Sequence, residues 1–136
     1  MTPTRNEIVR AFVPESPFAK TLGLGIERLD GEVCVMRMPY DPDLATLGDT
    51  VHGGAIASLI DTAGMTAAWG DETPTEQAAG ATVSMAVDYV AAARGTDLRA
   101  HARVVRRGRS LCFVTVEVLD DDERVVATGL VTHRFA

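Results

Sequence analysis

The sequence has few of the residues that stabilise small secreted proteins. Only two of its 136 residues are cysteines, Cys34 and Cys112, which is too few for a disulfide framework. Both lie in apolar runs typical of strands, so we expect reduced cysteines in the core. The N-terminal residues contain an acidic side chain and no apolar stretch, which predicts no signal peptide. We expect a single domain over residues 1–136 of a cytoplasmic protein.

Long apolar runs and positive charge are also scarce. The longest mostly apolar stretch, residues 51–69, carries Asp61 at its middle, where an aspartate would cost about 3 kcal/mol in a bilayer. With 13 basic against 19 acidic side chains, the net charge of −6 argues against general nucleic-acid binding. We therefore expect neither a nucleic-acid nor a membrane partner. Residues 94–109 nevertheless hold six arginines and one aspartate, a local basic segment sized for a single nucleotide.

The N-terminal half of the chain predicts two strands and one long helix. Residues 1–20 form a segment before the core, with a short helical pattern that Pro14 and Pro17 are expected to end. Residues 26–40 alternate around a turn at Asp30-Gly31, which predicts a hairpin. The long helix is predicted over residues 54–69, whose side chains are mostly small and suit close approach by other backbone.

The C-terminal half changes to a period of two, which is typical of strands. Short links join these strands, so the sheet must be antiparallel, and the helix must cover one of its faces. The sequence therefore predicts an α+β fold with a curved antiparallel sheet around one long helix. The four predicted strands span residues 81–90, 97–106, 110–119 and 124–135.

The start of the long helix carries the first candidate site. His52, Gly53 and Gly54 form a turn that lets backbone come very close to a ligand, and the first helical amides are unpaired donors. Such amides suit an oxygen that gains negative charge. The two glycines can equally serve only to let the loop enter the helix.

Asp61 is the second candidate, since a partly buried carboxylate can act as a base or a nucleophile. It follows Gly54 by seven residues, so both lie within about 20° of each other around the helix and about 10 Å apart along its axis. One bound carbonyl cannot touch both groups within one chain. If both act on one substrate, two helices must lie antiparallel, which predicts a twofold dimer.

The run HGGAIASLID and the later strand TVSMAVDYV resemble the hotdog-fold acyl-CoA thioesterases of the phenylacetate-degradation (PaaI-like) type, over about residues 16–135. The resemblance implies the hotdog fold, with a long helix inside a curved antiparallel sheet. It also implies homodimers that join their sheets and often pair into homotetramers. The implied reaction hydrolyses an acyl-CoA to a carboxylic acid and free coenzyme A. No cofactor is implied, since coenzyme A is part of the substrate.

The resemblance also implies roles for particular residues. The Gly53 N–H would bind the thioester carbonyl, with His52 shaping the turn, and Asp61 of the facing subunit would activate water or attack the thioester carbon. Thr82 would position the water or the substrate. The further residues that we expect at the substrate are Gly54, Ser84 and Tyr89.

Two other segments complete the prediction. The turn between the second- and third-last strands would bind the nucleotide of coenzyme A, although it can also be an ordinary solvated turn; its residues are Arg106, Arg107, Gly108, Arg109 and Ser110. Many relatives carry an asparagine where this chain has Thr46, and Asp49 is a second residue that could take its place.

The histidine and cysteine spacing predicts no metal site. The alternatives are a non-catalytic acyl-CoA-binding module and a hotdog hydratase or dehydratase.

Overall fold

The structure, a computed structural model, describes all residues 1–136 and contains a six-stranded antiparallel sheet packed around one long helix. The helices are α1 (Arg5–Glu15), α2 (Pro17–Leu22) and α3 (Gly53–Ala68), and none has the length and apolar character needed to cross a bilayer. The strands are β1 (Gly25–Asp30), β2 (Val33–Met38), β3 (Ala45–Leu47), β4 (Thr50–Val51), β5 (Gly80–Tyr89), β6 (Leu98–Arg107), β7 (Leu111–Leu119) and β8 (Val125–Phe135).

The main sheet has the strand order β1-β2-β6-β7-β8-β5, and every neighbouring pair is antiparallel. The predicted hairpin, long helix and four later strands are therefore confirmed, with bounds within about one residue for the helix. β5 does not pair with β6, which follows it in the chain, but with β8, the last strand. This places β5 at a free edge of the sheet.

Small residues let α3 lie close to the sheet. A Cβ built on Gly129 of β8 would stand 2.6 Å from Cγ2 of Ile60, and one on Gly64 of α3 would stand 2.9 Å from the Val131 side chain. Neither position has room for a larger residue without movement of its neighbour. The contact between α3 and β8 therefore depends on one glycine on each element.

The core lies between α3 and the inner face of the sheet. Inner residues of β6 and β7 alternate with exposed ones, as the period of two predicts. Cys34 and Cys112 are buried there and unpaired, as expected. Burial raises the pKa of the Cys34 thiol to about 12, so this cysteine stays protonated and unreactive.

Two details of the N-terminal half differ from the prediction. Pro14 does not end α1 but lies in its last turn, where Ser16 N–H closes the helix on the carbonyls of Phe12 and Val13. Pro17 begins α2 instead of only breaking a helix, because proline suits the first helical position. The segment between β2 and α3, for which no element was predicted, contains the short hairpin β3–β4.

The helix α1 is fastened across the end of α3. The Asn6 side-chain amide donates to the Gly70 carbonyl at 2.8 Å, and the Arg5 guanidinium contacts the Asp71 carboxylate at 3.3 Å. The Arg5 guanidinium also lies 3.7 Å from the centre of the Phe135 ring. These contacts make α1 a wall of the space beside α3.

Candidate active site

His52 caps the N-terminus of α3 and leaves one backbone donor free. Its Nδ1 accepts a hydrogen bond from the Gly54 N–H at 2.7 Å, and its backbone stands at φ −61° and ψ 135°. A Cβ on Gly54 would lie 2.9 Å from that Nδ1, so the glycine is required for this cap. The Gly53 N–H donates to no acceptor within the chain and remains available at the positive end of the helix dipole.

Tyr89 fixes the same turn from the other side. Its hydroxyl donates to the Gly53 carbonyl at 2.7 Å, and its ring would touch a Cβ on Gly53 at 3.3 Å. The peptide between Gly53 and Gly54 is thus held at its oxygen by Tyr89 and at its N–H by His52. Tyr89, predicted to contact substrate, here contacts the turn that carries the free amide.

Asp61 lies two turns further along α3 and meets Thr82 of β5. The Thr82 hydroxyl donates to Asp61 Oδ1 at 2.6 Å, which leaves Oδ2 without a partner in the chain. The carboxylate is half-buried. A carboxylate with one oxygen held and the other free can accept a proton from a bound water or attack a carbonyl carbon.

A cavity of about 280 Å³ opens beside this pair. Its walls come from α1, α3, the start of β5 and the loop before it, and it is lined mainly by apolar groups. The residues at its rim and walls are Ile8, Val9, Phe12, Asp61, Thr62, Met65, Trp69, Ala78, Gly80, Ala81, Thr82 and His133.

Trp69 and His133 close one end of the cavity. The Trp69 Nε1–H donates to His133 Nε2 at 2.8 Å, which requires a neutral imidazole with its proton on Nδ1. Burial lowers the pKa of His133, against a smaller opposing effect of the Asp61 charge, and so favours that neutral form. His133 Nδ1 is buried without a partner. No local pattern could indicate this pair, since the two residues are 64 positions apart in the chain.

The arginines of the predicted coenzyme A turn are of two kinds: one is hydrogen-bonded to the protein backbone, and two are exposed. Arg107 donates to the Ala67 and Ala68 carbonyls at the end of α3, both at 3.1 Å, and to the Gly31 carbonyl at 2.9 Å. Its guanidinium is thus occupied by the protein, which assigns Arg107 to the helix terminus. Arg106 and Arg109 are exposed and have no carboxylate within 4 Å. Gly108 and Ser110 complete the turn, with backbone bonds to Leu111 and Phe135.

Two predicted substrate residues are not brought to Asp61. The register shift in β5 places Ser84 opposite Thr132 on the outer face, whereas Thr82 pairs with buried His133. Thr46 lies exposed on β3, and no hydrogen bond holds its hydroxyl. Their predicted roles stay predictions. Ile8, Phe12 and Trp69 are cavity residues that the sequence pattern did not indicate.

Comparison with known proteins gives the family. Residues 48–127, more than half of the chain, match the family model described as the thioesterase superfamily. The chain belongs to the thioesterase superfamily. The matched region contains the whole of α3, with Gly53 and Asp61, and β5 with Thr82.

The chain is similar to named proteins and to solved structures. It is 26% identical over 135 residues to the medium/long-chain acyl-CoA thioesterase YigI of Salmonella typhimurium, covering 90% of this chain and 87% of the relative. A thioesterase family protein of Silicibacter pomeroyi superimposes with a TM-score of 0.86, at 30% identity and 96% coverage of each chain.

A mutant of the phenylacetic acid degradation protein PaaI of Thermus thermophilus superimposes with a TM-score of 0.77, at 25% identity, covering 89% of this chain and 100% of that one. The predicted resemblance to PaaI-like proteins and the hotdog fold are thereby confirmed.

Proposed function

We propose that this protein hydrolyses acyl-CoA thioesters to a carboxylic acid and free coenzyme A, at a site completed by a second copy of the chain. The observation that carries the proposal is the free Gly53 N–H at the start of α3, two turns from a carboxylate held by Thr82. Membership of the thioesterase superfamily supports the reaction, and relatives named as acyl-CoA thioesterases support the substrate class.

The chemistry follows from those two groups. The Gly53 N–H donates to the thioester carbonyl oxygen and stabilises the negative charge that develops there, a contribution of about 3–4 kcal/mol. Asp61 removes a proton from water as the water oxygen bonds to the carbonyl carbon, or attacks that carbon itself. The carbon–sulfur bond then breaks, and the departing thiolate takes the proton that Asp61 removed from water. When Asp61 is itself the nucleophile, the same bond cleavage leaves an acyl–aspartyl anhydride; water hydrolyses it to the free acid, which restores the Asp61 carboxylate and supplies the proton of the thiol. Thr82 keeps the carboxylate oriented through Oδ1.

The spacing of the two groups supports a shared site. Gly53 and Asp61 are eight residues apart on one straight helix, about 12 Å along its axis, so one carbonyl cannot reach both. β5 runs beside α3 in the opposite direction, with Thr82 at Asp61 and Tyr89 at Gly53. Antiparallel pairing of two β5 edges would therefore bring Gly53 of one subunit towards Asp61 of the partner subunit.

The free edge of β5 supports the same arrangement. Val83, Met85 and Tyr89 are 52%, 38% and 54% exposed on a strand with one unpaired side. Exposed apolar edges are normally protected, and an equivalent strand of a second copy is the partner that twofold symmetry supplies. The exposed guanidinium groups of Arg106 and Arg109 suit the phosphates of coenzyme A.

The test uses two inactivating substitutions that should complement each other when the two variant chains form mixed dimers. Asp61→Asn removes the base or nucleophile, and Gly53→Pro replaces the amide hydrogen with a ring carbon, so this position can no longer donate a hydrogen bond. His52 already has the extended conformation that a following proline requires, and proline suits the first helical position. We expect each variant to lose at least about a hundredfold in kcat. Gly53→Ala is the matched control, since it adds the same Cβ beside Tyr89 and keeps the N–H.

Activity is read as thiol released from acyl-CoA with a disulfide reagent such as DTNB, to which the buried cysteines contribute little. A refolded equal mixture of the two variants should recover about a quarter of wild-type activity if each site takes one residue from each chain. If the mixture recovers no activity, Gly53 and Asp61 of one site come from the same chain. Wild-type protein that binds acyl-CoA and releases no thiol would instead establish the binding module.

A further inference from the structure

We propose that Trp69 and His133 are positioning residues for the reaction: Trp69 keeps the His133 imidazole uncharged, so that His133 adds no positive charge beside Asp61. The carboxylate then acts as a base or a nucleophile at a lower pH than it could beside an imidazolium. The proposal rests on the proposed thioester hydrolysis for the role of Asp61. Its other supports are the place of His133 in the sheet, the bond to Trp69 and the charges around the imidazole.

His133 lies one strand away from Asp61's hydrogen-bond partner. In the sheet it pairs with Thr82 of β5 on one side and with Cys112 of β7 on the other. Side chains that stand opposite each other on neighbouring strands lie on one face and interact. Thr82 in turn donates to Asp61 Oδ1 at 2.6 Å, and Asp61 and His133 line the same cavity. A charge on the imidazole would therefore act on the carboxylate.

The imidazole also packs against the backbone that begins β5. A Cβ built on Gly80 would lie 2.7 Å from His133 Nε2, so the imidazole fills the space beside that glycine. The register of β5 against β8 shifts between Thr82 and Ser84, which interrupts the ladder just beyond Thr82. The place of Thr82 therefore depends on its contact with the imidazole as well as on the ladder, and a test variant at position 133 must keep the side-chain volume.

The hydrogen bond to Trp69 excludes the charged imidazole. An indole nitrogen is a donor only, and the Trp69 Nε1–H donates to His133 Nε2 at 2.8 Å. An imidazolium carries a hydrogen on both nitrogens, so its Nε2–H would face the indole N–H. The two side chains belong to residues that are only 6% and 2% exposed. Protonation of His133 therefore breaks a buried hydrogen bond and leaves two donors facing each other.

Burial lowers the pKa of His133, and the charges around it act in opposite directions. Asp61 on α3 favours the imidazolium, whereas Arg5 on α1 opposes it. Burial raises the pKa of the Cys112 thiol on β7, so this neighbour is uncharged, and β5 faces the imidazole with no titratable side chain. On β8 itself, Arg134 is exposed on the other face of the sheet. Of these groups, only Asp61 attracts a proton to His133.

The first test follows the rate against pH after the indole N–H is removed. Trp69→Phe keeps an aromatic ring, deletes the donor and opens space for water beside Nε2, so that His133 takes up a proton as the pH falls. Because a neighbouring cation weakens a carboxylate as a base, the ratio of kcat/KM at pH 5 to that at pH 8 should fall about fivefold below the wild-type ratio.

The probe is octanoyl-CoA, since one relative is named as a medium/long-chain acyl-CoA thioesterase. Thiol release is read with dithiodipyridine, which reports thiols in acidic as well as neutral solution. Trp69 also lines the cavity, so its variants can change the rate at every pH. Only the change of the rate with pH bears on the proposal.

The matched control combines Trp69→Phe with His133→Gln. Glutamine has a similar reach and takes up no proton, so the ratio should return to within about twofold of the wild-type value. His133→Gln alone keeps an acceptor for the Trp69 N–H and should also show the wild-type pH dependence. A loss at pH 5 that persists in the double variant would overturn the proposal, and so would a wild-type ratio in Trp69→Phe.

A measurement that needs no activity separates this inference from the proposed reaction. In long-range proton–nitrogen NMR spectra, the His133 signals are those missing from His133→Gln. Wild-type His133 should carry its proton on Nδ1 alone at both pH 8 and pH 5, whereas His133 of Trp69→Phe should titrate between them. If Trp69→Phe does not fold, benzothienylalanine at this single tryptophan position replaces the N–H by sulfur and keeps the ring volume.

The spectra decide the proposal whether or not the protein hydrolyses thioesters. A protonated His133 in wild-type protein at pH 5, or a His133 that does not titrate once the indole N–H is gone, would overturn it. The expected spectra from a protein that releases no thiol would support the uncharged imidazole and count against the reaction alone.

Discussion

At the scale of single residues, the turn before α3 is organised around one backbone N–H. Glycine permits many backbone conformations, so two consecutive glycines would leave the direction of the Gly53 N–H poorly defined. His52 and Tyr89 remove that freedom by bonding the two ends of the next peptide, each at 2.7 Å. The amide is therefore oriented before a substrate arrives, which is the condition for effective stabilisation of an oxyanion.

We predict that Tyr89 acts as a positioning residue. Tyr89→Phe keeps the ring against Gly53 and deletes only the hydroxyl, at a cost of about 1 kcal/mol, so kcat should fall roughly five- to tenfold while KM changes less than twofold. Steady-state kinetics with octanoyl-CoA provide the measurement. Tyr40→Phe, at the only other tyrosine, is the control and should match wild type. A change confined to KM would indicate that Tyr89 binds substrate instead.

At the scale of elements, the two ends of α3 differ in whether their terminal backbone groups have hydrogen-bond partners. The N-terminus keeps a donor free, whereas the C-terminus is closed by Arg107, which donates to two of its last carbonyls. A positive charge at a helix C-terminus is favourable, and bonds from charged donors are stronger than neutral ones. Arg107 also reaches the Gly31 carbonyl, so it ties the β1–β2 turn to the helix end.

We predict that neighbouring arginines separate into structural and binding roles. Arg107→Gln should destabilise the fold by about 2 kcal/mol and lower Tm by about 5 °C or more, without changing the salt dependence of acyl-CoA affinity. Arg109→Gln should leave Tm unchanged, weaken acyl-CoA binding and reduce its salt dependence. Thermal melts and calorimetry at two ionic strengths measure both. If Arg109→Gln binds acyl-CoA as wild type does, the turn is a solvated hairpin end.

The elements also show which features a single sequence can predict. The alternation of apolar residues predicted the four later strands correctly, and the spacing of Gly54 and Asp61 placed them on one helix face. Both predictions succeed because they depend on residues that are close together in the chain. Arg107 could not be assigned from its neighbours, since its acceptors lie about forty residues earlier in the chain. The wall formed by Phe12 was likewise beyond prediction, because the docking of α1 depends on contacts such as Arg5 with Asp71.

At the scale of the whole molecule, β5 connects the candidate site to the proposed dimer interface. It carries Thr82 to Asp61 and Tyr89 to Gly53, and its other side is the free edge of the sheet. The same strand therefore contacts both groups to which we assign the reaction, and it carries the edge at which we propose that a second copy pairs. Loss of the dimer and loss of activity should be coupled through it.

We predict that Val83→Lys yields monomers. A lysine on an edge strand opposes pairing with another strand, and the variant should lose at least about a hundredfold in activity with its thermal unfolding still cooperative. Analytical ultracentrifugation and the thiol assay give the two readouts. Val105→Lys is the matched control, since Val105 is at least as exposed, at 64% against 52%, but lies on β6 inside the sheet. A fully active monomer would contradict a shared site.

The pairing of β5 with β8 also sets the order in which the protein can be made. During synthesis β5 leaves the ribosome long before its only strand partner in the described sheet, β8, because β6 and β7 lie between them in the chain. Until residue 135 emerges, the nascent chain can form the β1–β2 hairpin but cannot seat Thr82 against its neighbour His133. A truncated product therefore carries an unpaired apolar strand and no complete site, so premature termination yields aggregation-prone and inactive chains.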